Sequence, residues 1–179
     1  MDLRVERTKK NIANAYMQLL QEKPVEKITV KELSELAYIN KATFYLHYKD
    51  IYDLADQLEN EFVASIIKNI PSPDSLISNP RTSVAELTRA LTVNENVRVL
   101  FSGTRASLLE QKIESCLRKQ ILERYPEFEN SLKHEMVLSM LIHGGFHAFK
   151  QHAENHNTQE IIQIMGDINE CIVENFVRN

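Results

Sequence analysis

The amino-acid sequence predicts an all-α protein, and three observations lead to this fold class. Only four glycines and five prolines occur in 179 residues, which is too few turn residues for a many-stranded sheet. Apolar residues recur along most of the chain at spacings of three and four, as in amphipathic helices. Polar or proline-containing segments interrupt this pattern where helices would end. A chain of this length can bury a core as one domain or two small ones.

A first helix is predicted over residues 4–22, where apolar side chains fall on one stripe. The stripe has the spacing i, i+4, i+7 and i+8 and consists of Ile12, Tyr16, Leu19 and Leu20. The helix is expected to end before Pro24, because a proline pushes the preceding residue out of helical geometry.

Two short helices are predicted next. Thr29 and Glu32 have the spacing of a capping box, in which the threonine hydroxyl accepts a hydrogen bond from a backbone N–H and the glutamate reaches back. After a break at AYIN, Asn40 is the expected N-cap of a second short helix that extends to about Tyr48. The two helices are thus joined by a turn of about three or four residues.

Further helices are predicted along the rest of the chain. Asp50 is the expected cap of a long helix over 50–70, which would link the two halves. Residues 71–80, PSPDSLISNP, predict a loop, because clustered proline and serine interrupt helices. Later helices are expected at about 82–92, 95–102, 104–125, 129–152 and 158–177.

The charge of the chain is unevenly distributed. Residues 1–50 contain nine Lys or Arg and seven Asp or Glu, a net charge of +2. Residues 51–179 contain twelve and eighteen, a net charge of −6. A mildly basic N-terminal part on an acidic remainder suits a partner that presents phosphates at one end only.

Several functional classes are not expected from this sequence. No apolar run is long enough to span a bilayer, and the N-terminus, MDLRVERTKKN, is charged, so neither a membrane nor a secretion segment is expected. Cys116 and Cys171 lack the spacing of paired metal ligands, which indicates reduced thiols in a cytoplasmic protein. No GxSxG, P-loop, GxGxxG or paired-cysteine motif occurs, so we expect neither an enzyme nor a cofactor.

The stretch NKATFYLHYKD concentrates hydrogen-bonding groups where a helix that only packs could use Leu and Ala. Ile39, Phe44 and Tyr48 have the spacing that packs inward. This leaves six residues to project outward or flank the helix: Asn40, Lys41, Thr43, Tyr45, His47 and Lys49. Lys and Asn can read base edges in the major groove, whereas Thr, Tyr, His and Lys can bind phosphates. The pattern therefore predicts a helix-turn-helix that binds DNA, with a solvated polar face as the alternative.

The segment EKITVKELSELAYINKATFYLHYKDIYDL resembles the DNA-binding domain of the TetR/AcrR family of transcriptional regulators. The resemblance covers about residues 4–66, and TFYLHYKD is its most specific part. It implies a DNA-binding domain over 1–48 and a helical regulatory and dimerisation domain over 49–179. It also implies a homodimeric repressor that binds a palindromic operator and is released by a small-molecule effector.

The resemblance also implies roles for individual residues. Those that would contact DNA are the recognition-helix threonine Thr43, the phosphate-gripping Tyr45, His47 and Lys49, the base-facing Asn40, Lys41 and Ala42, and Val30 and Lys31 near the backbone. One departure concerns the turn, where the family usually has Ala-Gly-Val and this chain has Ala37, Tyr38 and Ile39. A left-handed Tyr costs on the order of 1 kcal/mol or more, so either the turn is adjusted or Tyr38 gains a contact. Ser34 also stands where the family often has Ala.

We expect an effector pocket in the second half of the chain. Its predicted lining mixes aromatic, flexible apolar and polar side chains and consists of Phe62, Ile66, Phe101, Met140, His143 and His147. The alternative is that all six are ordinary core residues. The helix over 50–70 is the expected lever between effector and DNA.

Two other readings of the second half stay open. His143 and His147, like His152 and His156, stand four residues apart, the spacing at which a helix offers zinc two ligands. No HExxH motif or adjacent cysteine accompanies them, so no metal is expected. A regulator whose second half binds a partner protein or a metal, in place of an organic effector, is the alternative function.

The last two helices, over about 129–152 and 158–177, are the predicted dimer interface. The final helix has apolar residues beyond a single stripe, and such a helix needs more than one packing partner. Gly144, Gly145 and Gly166 fall inside these helices, where each costs about 1 kcal/mol relative to Ala, so close helix approach is expected. Burial within a monomer is the alternative.

Overall fold

The computed structural model describes residues 3–68, 74–93 and 95–178. Every regular element in these ranges is helical and none is a strand, which confirms the predicted all-α class. None of the described helices is both long enough and apolar enough to cross a lipid bilayer.

Eleven α-helices succeed one another along the described chain. They are α1 (Leu3–Glu22), α2 (Val30–Leu36), α3 (Lys41–Tyr45), α4 (Ile51–Lys68), α5 (Ser75–Ser78), α6 (Pro80–Val93), α7 (Glu95–Leu100), α8 (Leu108–Arg124), α9 (Leu132–Ser139), α10 (Gly145–His152) and α11 (Thr158–Val173). Short 3-10 turns lie at Val25–Lys27, Gly103–Arg105 and Pro126–Phe128. A π-helical segment, Met140–Gly144, joins α9 to α10, and a second, Glu174–Arg178, continues α11.

The predicted caps determine where the early helices start. Thr29 Oγ1 accepts a hydrogen bond from the Glu32 N–H at 3.3 Å, and Asn40 Oδ1 accepts one from the Thr43 N–H at 2.7 Å. These bonds confirm both predicted N-caps. The reciprocal half of the capping box is wrong, because the Glu32 carboxylate forms an ion pair with Lys23 at 2.5 Å.

Two predicted boundaries differ from the structure. α3 ends at Tyr45, since the chain turns before Tyr48. The described part of the predicted loop 71–80 is mostly helical, because Leu76 and Ile77 are buried and Pro80 occupies the first position of α6, where a missing N–H is harmless. Residues 69–73, which include the predicted end of the long helix, lie outside the described part of the chain.

The chain forms two compact units, each with its own core. The first comprises Met1–Phe62 and Glu95–Ser107, and the second comprises Val63–Asn94 and Leu108–Asn179. Fully buried side chains of the first unit include Ile12, Tyr16, Leu33, Phe44 and Leu54, and those of the second include Ile67, Ile113, Ile121, Leu138 and Val173. The functional boundary predicted at residue 48 stays a prediction, since packing does not decide which surface binds a partner.

A charged cluster lies inside the first unit, and the sequence pattern did not predict it. Glu59 of α4 is fully buried, and its carboxylate accepts hydrogen bonds from Nε and Nη2 of Arg105. The same guanidinium donates to Asp56 at 2.7 Å. Burial raises the pKa of the neighbouring Tyr16 hydroxyl above its ordinary value, and the Glu59 carboxylate adds to this rise.

Close approach of α6 and α11 organises the second unit. A Cβ at Gly166 would lie 3.3 Å from the Cα of Arg81, so only a glycine allows this separation without a shift. Arg81 also forms an ion pair with Asp167. The predicted helix approach is therefore present at Gly166, within a single subunit. At Gly144 the space above the backbone is open.

Candidate nucleic-acid interface

The turn between α2 and α3 closes with two backbone hydrogen bonds. The Ile39 N–H donates to the Ser34 carbonyl at 3.0 Å, and the Tyr38 N–H donates to the Glu35 carbonyl at 3.2 Å. This pairing is the Schellman motif, in which the residue after the helix is left-handed and usually glycine. Tyr38 holds that position with a φ of 56°. The turn is therefore not adjusted, and the tyrosine adopts the strained conformation.

Tyr38 is 94% exposed, so packing within the chain does not offset the strain. A left-handed backbone costs an ordinary L-residue about 1–2 kcal/mol. In the described ranges the other non-glycine residue with a positive φ is Asn130, a residue type that tolerates this region. Tyr38 is thus a residue whose type does not favour the left-handed backbone that it adopts.

The N-terminus of α3 is fixed by Asn40 and Thr43 together. Asn40 Oδ1 accepts both the Thr43 N–H at 2.7 Å and the Thr43 hydroxyl at 2.9 Å. A base contact by Asn40 would therefore use its amide nitrogen. Thr43, half-buried, orients the cap and is less available to DNA than the sequence suggested.

Phe44 of α3 and Tyr48, three residues after the helix, pack inward as predicted, whereas Ile39, which was also predicted to pack inward, is half-buried. Phe44 and Tyr48 are buried, with ring centroids 5.6 Å apart. Tyr45 stands edge-on to Phe44 at 5.5 Å, which supports its ring while leaving it more than half exposed. Lys41 and Ala42 are exposed at the first turn. The outward side chains of α3 are thus exposed and do not pack in the core.

The start of α4 is held by a reciprocal pair of caps. Asp50 Oδ1 accepts the Asp53 N–H at 2.8 Å, and Asp53 Oδ2 accepts the Lys49 N–H at 2.8 Å. The hydrogen bond from Lys49 lowers the pKa of Asp53 below its ordinary value, and Gln57 contributes a second bond. These bonds fix the backbone of Lys49, whose side chain is exposed, while His47 is half-buried beside Tyr48.

We define the α2–α3 surface as the exposed residues Lys31, Tyr38, Asn40, Lys41, Ala42, Tyr45, Leu46 and Lys49. It combines three lysines with two tyrosine rings and a cap amide, groups that suit phosphates and base edges. Val30, also predicted as a contact, is half-buried in the first turn of α2. Glu35 on α2 and Asp50, next to Lys49, are exposed acids that reduce the positive charge of this surface.

Leu46 is a residue of this surface that the sequence reasoning missed. Its side chain is 81% exposed, and it stands four residues after Ala42. An apolar side chain at this place can contact the methyl group of thymine in the major groove. Extending the outward face by one helical turn from Ala42 would have found it.

The second unit contains an apolar cavity of about 60 Å³. Its lining consists largely of leucine, isoleucine, phenylalanine and methionine side chains from α6, α8, α10 and α11, with three polar residues, Ser83, Thr88 and Asn169. Asn169 is buried. The cavity is well below the roughly 300 Å³ of a typical small-molecule site, so a ligand of ordinary size would have to widen it.

The six residues predicted to line a pocket do not line this cavity. Phe62 and Phe101 belong to the first unit, where their ring centroids are 6.4 Å apart. Ile66 is buried in the second unit, whereas Met140 and His147 are exposed. Sequence periodicity could not distinguish these positions, because it does not show which helices face one another.

His143 binds carboxylates on a neighbouring helix. Its Nδ1 contacts Glu110, and its Nε2 lies 2.8 Å from Glu114. The hydrogen bond to Glu110 is the main reason why the pKa of His143 lies above its ordinary value. No set of three or more His, Cys, Asp or Glu side chains in the described ranges is arranged to hold a metal ion.

Comparison with known proteins does not identify a family. No protein-family model matches the sequence, and no curated protein matches it either. The interpretation of the α2–α3 surface therefore depends on its own residues and geometry.

Proposed function

We propose that this chain is a sequence-specific DNA-binding transcriptional regulator, with α2, the Tyr38 turn and α3 acting as a helix-turn-helix. The observation that carries the proposal is the division of α3 into two faces. Phe44 and Tyr48 anchor it in the core, while Lys41, Ala42 and Tyr45 are presented outward. A short helix held this way can enter the major groove, which admits an α-helix.

The roles of the surface residues follow from their chemistry. Lys41, Ala42 and Leu46 at the exposed side of α3 would face base edges, where lysine donates to guanine and apolar groups contact thymine methyls. Tyr45 and Lys49 would hold phosphates on either side of the groove. Lys31 at the start of α2 would bind the sugar-phosphate backbone of DNA, which the first helix of a helix-turn-helix crosses. The resemblance of this segment to the TetR/AcrR family supports the same roles.

The regulator would act as a homodimer through its last two helices. Met136 and Met140 on the α9 side and Ile164 and Ile168 on α11 are large apolar side chains that are each more than half exposed. A two-fold dimer presents two recognition helices, so the operator would be roughly palindromic.

The cavity of the second unit supports the proposal that a small-molecule effector binds this regulator. Without the effector, the protein would stay on its operator and repress transcription. A mostly apolar molecule with one hydrogen-bonding group would match the apolar lining and the amide of Asn169. Binding must widen the cavity and so must favour one conformation over another. Operator and effector would then weaken each other's binding by the same factor.

A second candidate function places a partner protein on the exposed apolar residues of α9 and α11 in place of a second copy. Large apolar patches on a protein surface mark interaction sites of either kind. The two candidates differ in the oligomeric state of the purified chain. A dimer that dissociates when Ile168→Glu is introduced supports the homodimer, and a monomer supports the partner protein.

Selection of bound duplexes from a random-sequence library by the full 179-residue chain tests the proposed function. We expect enrichment of a two-fold symmetric site. Lys41→Ala should alter the preferred base at one position in each half-site, because a lost base contact is worth about 1–3 kcal/mol of discrimination. Lys119→Ala, which removes an exposed lysine of α8, is the matched control and should leave the site unchanged. Failure to enrich any sequence would contradict the proposal.

A further inference from the structure

Tyr38 combines a left-handed backbone with an almost fully exposed ring. Its φ is 56° and the residue is 94% exposed, so no burial inside the chain offsets the strain. Strained residues of this kind concentrate at binding sites, where an external contact compensates for them. Glycine would hold the same Schellman turn without strain.

The position of Tyr38 indicates what that external contact would be. The residue lies in the turn between α2 and α3, and chain length alone keeps its Cα within roughly 11 Å of the Cα of Lys41. When a helix-turn-helix docks, the first helix crosses the sugar-phosphate backbone and the second enters the major groove. The turn that connects them therefore lies at the edge of the groove, beside the phosphates.

We infer that Tyr38 is a DNA-contact residue whose phenolic hydroxyl donates a hydrogen bond to a phosphate oxygen. A phenol offers one O–H donor, and an ionised phosphate oxygen is a strong acceptor. The inference rests on the proposed function and adds a contact at a position where the resembled family usually has glycine. Because phosphates are common to every sequence, the contact strengthens binding without selecting a base.

The experiment compares three variants of the full chain on two duplexes, the one selected by the wild-type protein and a scrambled duplex of equal length. Tyr38→Phe removes the hydroxyl alone, and Tyr38→Gly removes the ring and relieves the backbone. Tyr125→Phe is the control, because Tyr125 belongs to the second unit and its hydroxyl donates to Asp74. Affinity is measured over a range of salt concentrations, and thermal unfolding is followed by circular dichroism.

We expect Tyr38→Phe and Tyr38→Gly each to weaken binding by the dimer about a hundredfold on both duplexes, because each subunit loses one hydrogen bond to a charged group and each loss is worth about tenfold. The slope of log affinity against log salt should stay unchanged, since an uncharged hydroxyl displaces no counterion. Tyr38→Gly should unfold at the same temperature as the wild type or higher. Tyr125→Phe should bind as the wild type does.

Other results overturn the inference. Unchanged affinity of Tyr38→Phe excludes the phosphate hydrogen bond, even if Tyr38→Gly binds weakly, because the ring would then make the contact. A lower unfolding temperature of Tyr38→Gly shows that the tyrosine serves the fold. If the wild-type chain itself binds neither duplex and selects no site, the proposed function fails, and this outcome is distinct from a failure confined to the Tyr38 variants.

Discussion

Arg105 binds two carboxylates of α4 in the first unit. Its guanidinium binds the fully buried Glu59 and the more exposed Asp56, so three charges share one network. A buried carboxylate without a partner is far more costly than a buried pair, because desolvation is then uncompensated. Burial raises the pKa of the neighbouring Tyr16 hydroxyl, the Glu59 carboxylate raises it further, and the Arg105 guanidinium opposes this rise.

We expect Arg105→Ala to lower the free energy of unfolding by about 3–5 kcal/mol, because it leaves Glu59 buried and unpaired. The double variant Glu59→Leu, Arg105→Met should recover most of this loss, since apolar residues of similar size often replace a buried ion pair without penalty. Chemical denaturation followed by circular dichroism measures both. A loss below about 1 kcal/mol for Arg105→Ala would show that solvent reaches Glu59 more easily than the structure indicates.

Among the elements, the π-helical segment Met140–Gly144 positions His143 against α8. Glu110 and Glu114 are one turn apart on α8, and each binds one ring nitrogen of His143. An imidazole donates from both nitrogens only when it is protonated. The contact between the two elements therefore depends on the charge of His143.

The pKa of His143 is raised in the folded protein, so protonation stabilises the fold relative to the unfolded chain. This stabilisation is complete below the ordinary histidine pKa of 6.5 and is lost as the pH rises through the raised value. We expect the wild type to lose stability relative to His143→Gln over the pH window that begins at about 6.5 and extends upward through the raised pKa. Denaturation at several pH values tests this. A constant difference between the two proteins over that window would contradict the assignment.

A matched pair of glycine variants tests the packing of α6 on α11. Gly166→Ala puts a Cβ 3.3 Å from the Arg81 backbone, whereas Gly144→Ala meets open space. Alanine favours a helix over glycine by about 1 kcal/mol at both positions. We therefore expect Gly166→Ala to be less stable than Gly144→Ala by roughly 1–3 kcal/mol, the usual effect of overpacking. Equal unfolding midpoints would mean that α11 can move away from α6 at little cost.

Local chemistry made the first helices predictable from the sequence. Thr29 and Asn40 are caps whose bonds lie within three residues, and Phe44 and Tyr48 follow a helical period. Helix α5 was missed because its stabilising contacts are remote. The Arg178 guanidinium donates to the carbonyls of Ile77 and Ser78, about a hundred residues away in sequence.

The sequence predicted those parts of the candidate site that depend on neighbouring residues in the chain. The exposed residues of α3 follow from helical periodicity, whereas the left-handed Tyr38 was one of two alternatives that the resemblance raised, because the family usually has glycine at this position. The cavity was not predictable, since its lining comes from helices far apart in sequence. The pairing of Glu59 with Arg105 is likewise invisible to periodicity, which places a glutamate on an apolar face without naming its partner.

In the proposed regulator, DNA binding and effector binding are carried by different parts of one chain. The first unit carries the α2–α3 surface, and the second carries the cavity and the exposed apolar residues of α9 and α11. In the proposed dimer each subunit supplies one recognition helix. A contact made by one residue therefore counts twice in the affinity and in its salt dependence.

The salt dependence of binding to the selected duplex tests whether the α2–α3 surface binds DNA through its phosphates and recognises a sequence. Each phosphate contact contributes about 0.9 to the slope of log affinity against log salt, so Lys49→Ala in a dimer should reduce the slope by nearly 2. The control Lys119→Ala should keep the wild-type slope, and both variants should still prefer the selected duplex to a scrambled one. Equal binding of selected and scrambled duplexes by the wild type at moderate salt, with or without candidate effectors, would contradict the claim that the α2–α3 surface recognises a DNA sequence.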